Sequence, residues 1–160
     1  ISGEGLVREF IVFTSCDGKG KQSEYIRNGF DYNQWYDRCA ELLEEIPKLT
    51  ISIMGTYNVL SIPSYKGLID DVYKLKQQFT NTDRYWFYPI GLDSSYLRHP
   101  QHQAVKTLMA DDSKDWGNEI LNQAKLMDFL ATPYAAKTEA GYGDMEIAKI
   151  KRIYDWYKEL

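Results

Sequence analysis

Along the chain, short continuous apolar runs alternate with stretches in which apolar residues recur at helical spacing. The run Phe10-Ile11-Val12-Phe13 lies inside Leu6–Ser15, which reads as a strand, and its unbroken apolar centre predicts burial on both faces. A polar loop punctuated by Gly18, Gly20 and Gly29 follows. Trp35, Cys39, Leu42, Leu43 and Ile46 then recur at helical spacing. Asp31 is the predicted N-cap, Gln34 the other half of a capping box, and Pro47 the stop. Leu49–Met54 alternates, with Leu49, Ile51 and Ile53 on one face and Thr50, Ser52 and Met54 on the other. A barrel with a semi-polar lumen and a half-solvated sheet both give that pattern. It runs into a polar loop, Gly55-Thr56-Tyr57-Asn58.

A second helix is predicted from Ser64 as N-cap, with Tyr65, Leu68, Ile69, Val72, Leu75 and Phe79 as its apolar stripe. Tyr85–Tyr88 is rich in strand formers and leads to Pro89-Ile90-Gly91-Leu92-Asp93, a third polar exit. The order is β-α-β-α-β, with strand ends near Ser15, Thr56 and Ile90, at spacings that suit βα units and a parallel sheet. Three further helices follow: one preceded by His99 and Pro100 and running to about Leu108, then Asp115–Leu130 and Asp144–Leu160. One domain, 1–160, is expected, with a βα part at 1–108 and a helical extension at 109–160.

Composition narrows the function classes. The apolar fraction of 44% and charged fraction of 26% belong to a folded chain rather than a disordered one. A net charge of −4 without a basic block argues against nucleic acid as a partner. The 13 Tyr, 6 Phe and 4 Trp must largely be buried or line a site. Two cysteines, Cys16 and Cys39, are too few for a disulfide framework or for four metal ligands, and Cys39 reads as a core residue. No apolar run approaches the roughly 20 residues of a membrane span, and no leader pattern is visible. A soluble, cytoplasmic chain without membrane partners is expected. Beginning at Ile1 and reaching a strong strand within ten residues, it reads as a piece of something longer.

Most candidate motifs have an ordinary structural reading. Gly18-x-Gly20 lacks the third glycine of a dinucleotide loop. Arg27 could orient a carboxylate or phosphate, or it could pair with Glu24 or Asp31 and staple the loop. His99 and His102 have the spacing of a ligand pair but no close acidic partner. Glu44-Glu45 and Asp111-Asp112 are sequence neighbours, not an acid–base couple.

A resemblance adds to this reading. Thr14-Ser15-Cys16-Asp17-Gly18, then Glu24-Tyr25-Ile26-Arg27-Asn28-Gly29-Phe30-Asp31-Tyr32 and Trp35, resemble the segment after the fourth strand of radical S-adenosylmethionine enzymes of the twitch or SPASM type. Thr56 and Asn58 stand where that family has a threonine or asparagine after strand five, and Tyr96-Leu97-Arg98-His99-Pro100 resembles its segment after strand six. The resemblance covers about residues 6–108. It implies an α/β fold that is half of a (β/α) barrel: about three parallel strands with crossover helices, plus C-terminal helices. It further implies that Ser15, Asp17, Thr56 and Asn58 contact S-adenosylmethionine, and that Tyr25, Arg27 and Asp93 face substrate. The alternative for Ser15 and Asp17-Gly18 is that they are turn residues bonded to their own backbone.

The family's [4Fe-4S] cluster sits on a C-x3-C-x2-C loop, and this sequence contains no such loop. The expectation is therefore the carboxy-terminal part of such an enzyme, inactive alone and binding neither cluster nor cofactor by itself. Its first strand would be an open edge prone to self-association, giving a homo-oligomer. The competing expectation is a non-catalytic protein-interaction module on a degenerate α/β scaffold.

Overall fold

The computed structural model describes residues 10–80, 88–111, 114–131 and 141–159. The elements are β1 (Phe10–Ser15), α1 (Lys21–Ile26), α2 (Tyr32–Glu45), β2 (Leu49–Tyr57), α3 (Ile62–Gln78), β3 (Ile90–Tyr96), α4 (Trp116–Phe129) and α5 (Asp144–Lys158), with two 3-10 turns, Gln101–Gln103 and Val105–Ala110, between β3 and α4. The three strands form one parallel sheet in the order β1-β2-β3. The protein is thus mixed α/β, as its strand and helix pattern predicts.

Register assigns the faces. Val12 pairs with Ile51 and Ile51 with Ile90, while Thr14 pairs with Ile53 and Ile53 with Leu92. Leu49, Ile51, Ile53, Ile90 and Leu92 on this face are buried and join the core with the inner stripes of the helices. Two polar contacts fix which helices cover it: the Trp35 indole of α2 donates to Thr14 Oγ1 at 2.9 Å, and the Tyr65 hydroxyl of α3 shares a short hydrogen bond with Ser94. The opposite face is covered at Thr50 and Gly91 but open towards the carboxyl ends of the strands, where Phe13 is 66% and Met54 52% exposed.

Several expectations are corrected. The apolar centre of β1 is not buried on both faces, since Phe13 is exposed and, among the described residues, β1 has one neighbouring strand and helices against one face; Leu6 to Glu9 lie outside the described residues. Among the described residues the strand that follows α3 is Ile90–Tyr96. Tyr85, Trp86 and Phe87 fall outside the described residues, Tyr88 precedes the strand, and the stretch read as a polar exit is β3 itself. Strand propensity reflects how a side chain fits a half-buried surface, and here Ser94 fits because Tyr65 satisfies its hydroxyl. Likewise β2 continues through Gly55-Thr56-Tyr57, where Tyr57 packs edge-on against Tyr65 at 4.6 Å and donates to Gln123 of α4 at 2.5 Å. The loop after β1 holds a short helix, α1; α3 begins after Ser61 rather than Ser64, with Pro63 in its first turn; and the segment near 100–108 forms 3-10 turns. In α2, Asp31 caps as expected, accepting from the Gln34 amide at 2.9 Å.

The C-terminal helices extend the helical layer, with α4 against α3 and α5 against both α4 and β3. At the outer edge of β3 a fully buried Lys76 from α3 meets Glu146 from α5 at 3.0 Å. Glu146 also accepts the backbone N–H of Leu92 at 2.7 Å and that of Gly143 at 2.9 Å. The ammonium lies 4.4 Å from the Tyr88 ring centre and 5.2 Å from that of Tyr142. Burial pulls the Lys76 pKa down, and the Glu146 carboxylate opposes that pull.

Removing one partner strands the other charge in the core. Lys76→Ala is expected to cost about 3–5 kcal/mol in urea unfolding. Lys76→Met with Glu146→Gln, which keeps an oxygen for the Leu92 amide, is expected to recover at least half of that loss.

Candidate functional site

The residues singled out in the sequence lie around the carboxyl ends of β1 and β2 and on β3, where parallel sheets ordinarily bind ligands. Asp17, just beyond β1, is buried, and its carboxylate is tied to the neighbouring strand and to Arg27. Oδ1 accepts the Thr56 backbone N–H at 2.7 Å and an Arg27 Nη2 hydrogen at 3.2 Å, while Oδ2 lies 2.7 Å from Arg27 Nε. Arg27 does staple the loop, but to Asp17. Glu24 instead accepts from the Tyr32 amide at 3.2 Å, and Asp31 from that of Gln34.

Asn58 is equally committed. Its Oδ1 accepts from Leu60 N at 2.9 Å, and its Nδ2 donates to Thr56 O at 2.9 Å, forming a turn that leads into α3. Ser15 ends β1 on the open face beside its register partner Met54. Tyr25 projects from α1 and is 80% exposed. Asp93 lies mid-strand in β3 and pairs with Lys149 of α5. The structure therefore gathers Asp17, Arg27, Thr56 and Asn58 into one network; Tyr25 and Asp93 stand outside it.

The loop after β1 is clamped to one face of α3. Gly18 packs so close to the Ser64 hydroxyl that a Cβ would collide with it, and Ser64 Oγ accepts the Lys19 amide at 3.3 Å. The Lys19 stem lies across Gly67, and its ammonium reaches Asp71 at 2.7 Å. Ser64, Gly67 and Asp71 are spaced i, i+3, i+7, so one stripe of α3 receives the whole turn. Asp71 also accepts from the Tyr32 hydroxyl at 2.9 Å and from Lys74 at 3.0 Å. Burial pushes the Asp71 carboxyl up, but these donors outweigh it and hold the carboxyl below its usual range. Burial and the Asp71 carboxylate together raise the Tyr32 phenol.

Neither cysteine is a reactive thiolate. Cys16 is buried beneath the loop and donates to Gly18 O at 3.1 Å, and burial raises its thiol. Burial pushes Cys39 up to about 12. No family model matches the chain, and no curated protein or solved structure matches it. Among the described residues no three His, Cys, Asp or Glu side chains gather as metal ligands, and His99 and His102 are both exposed. No helix among them is long and apolar enough to cross a membrane.

One feature escaped the sequence reading. Between the end of β3 and α5 runs a groove of about 330 Å³ lined by Asp93, Ser95, Tyr96, Arg98, Lys149 and Arg152. The helical spacing of Lys149, Arg152 and Trp156 was the available signal. It was hidden because the strand that forms the other wall was read as a loop.

Acid stability tests the loop clamp. A carboxyl held below its unfolded pKa binds fewer protons in the folded state than in the unfolded one, so its stabilisation is complete above roughly pH 4 and lost as pH falls through the folded value. Asp71→Asn is expected to lower stability by about 1–2 kcal/mol at pH 7, mainly through the bond from Tyr32, since water screens the exposed lysines. In denaturant titrations across pH the gap from the unmodified protein should close on the acid side.

Proposed function

We propose that this chain is the carboxy-terminal part of a (β/α) barrel of the radical S-adenosylmethionine type, forming one wall of the ligand pocket. The observation that carries this reading is the one-sided sheet. Its strands follow chain order and are all parallel, and helices cover one face. The other face opens, towards the carboxyl ends of the strands, with Ser15, Thr56 and Ser95 at the rim. That is the arrangement an inward barrel face requires.

The residues present do not fit a [4Fe-4S] cluster. Both thiols are buried on separate elements, and a cluster needs exposed thiolates grouped on one loop. Any cluster would be held by residues beyond this chain. Asp17 and Asn58 are buried and bonded inwards, so the hydroxyls of Ser15 and Thr56 are what this wall offers S-adenosylmethionine. Asp17 and Arg27 then serve to hold the rim in place. Tyr25 and Asp93 remain substrate-facing in this proposal, Tyr25 by its exposure.

The test uses the product of the complete reading frame that contains this sequence. The frame upstream of Ile1 is expected to encode C-x3-C-x2-C, and the anaerobically reconstituted product to take up iron and sulfide and cleave S-adenosylmethionine to 5′-deoxyadenosine when reduced. A frame without the triad, or a product that never acquires a cluster, overturns the reading.

The second reading, an interaction module without catalysis, is favoured by the closure of the Asp17 and Asn58 network. In either case β1 carries exposed Phe10 and Phe13 and, among the described residues, has no strand on its outer side. Such an edge pairs readily with a second copy. The 160-residue chain is expected to sediment as a dimer, and Phe10→Lys with Phe13→Lys to raise its dissociation constant by about tenfold or more. A monomer at high concentration would refute edge pairing.

A further inference from the structure

We propose that the groove between the end of β3 and α5 binds a small molecule through a doubly charged oxyanion of the phosphomonoester class. This stands on the groove alone and holds under either reading of the barrel. In a chain of net charge −4, three cations, Arg98, Lys149 and Arg152, converge here against a single carboxylate, Asp93. Two positive charges are left over, the number that neutralises a phosphomonoester near pH 7.

The cations come from two segments. Lys149 and Arg152 are three residues apart on α5 and share one face of that helix, while Arg98 lies in the loop two residues beyond the end of β3 and is held there by Tyr96. Each has a different degree of commitment. Lys149 is held by Asp93, so its position is fixed and its charge is balanced, leaving Arg98 and Arg152 as the net charge of the groove. Arg98 donates to the Tyr96 hydroxyl at 2.6 Å and lies 5.0 Å from the centre of that ring, contacts that orient its guanidinium without cancelling its charge. Tyr96 is itself held by stacking on Trp156 at 4.5 Å. Arg152 has neither a carboxylate nor a hydrogen-bond partner among the described residues, whereas its helix neighbour Lys151 and the more distant Lys66 and Lys114 sit beside acids.

Two guanidinium forks suit the several oxygens of a phosphate better than the two of a carboxylate. The groove volume of about 330 Å³ admits a phosphate with a small organic body and lies at the low end of the range for small-molecule sites. Its place at the end of a parallel strand is where such ligands are commonly seated.

The test is titration of the 15N-labelled chain with phenyl phosphate, using benzoate as the singly charged control at constant ionic strength. Phenyl phosphate is expected to bind saturably and at least about tenfold more tightly than benzoate at pH 7.5, with amide shifts concentrated at 94–98 and 149–152. Its affinity should fall as pH drops below about 6, where the dianion takes up one proton and becomes singly charged. Arg98→Gln and Arg152→Gln should each weaken binding about tenfold, while Asp93→Asn should strengthen it severalfold. Lys66→Gln, on a distant exposed helix face, should leave it unchanged. Equal affinity for benzoate, shifts spread over all surface lysines without saturation, or equal losses in Lys66→Gln and Arg152→Gln would each overturn the proposal. The amide spectra report at the same time that every variant is folded.

Discussion

The outer edge of β3 sets the constraint on which the rest of the structure depends. A parallel strand at the end of a sheet carries backbone groups that need partners, and those of a buried edge cannot be left to water. Glu146 meets this need at Leu92 by supplying a side-chain oxygen where a fourth strand would supply a carbonyl. A carboxylate in that position needs a counter-charge, and Lys76 of α3 provides it from the other side. One backbone amide thus commits α3, β3 and α5 to one another. It also explains why α5, far along the chain, packs on the sheet rather than trailing behind it.

Clear periodicity was legible in the sequence; elements defined by their partners were not. The stripe from Tyr65 to Phe79, the Asp31 cap and the alternation of Leu49, Ile51 and Ile53 each carry their own signal and appear where expected. β3 does not, since Gly91, Asp93, Ser94 and Ser95 lack strand character until Tyr65 and Lys149 are brought against them. The burial of Lys76 and Gln123 was also invisible. Each is a polar residue in a helix, and only tertiary contacts to Glu146, Tyr57 and Ile62 O distinguish it from a solvated one.

The same division runs through the candidate site. The strand-exit residues were found by position, and Asp17, Arg27, Thr56 and Asn58 do form a network. Its bonds, however, run inwards. Asp17 joins the ends of two neighbouring strands, and its Oδ1 is shared between a backbone amide and the Arg27 guanidinium. The uncompensated charge lies one strand further on, in a groove where three cations face the single carboxylate of Asp93.

The Leu92 amide carries a last consequence. Most strand amides are shielded by a neighbouring strand and exchange with solvent only when the sheet opens. This one is shielded by a side chain that leaves with its helix. Its hydrogen–deuterium exchange therefore follows the undocking of α5, separately from unfolding of the sheet. Because α5 also carries Lys149 and Arg152, the stability of that one proton measures how firmly one wall of the groove is held.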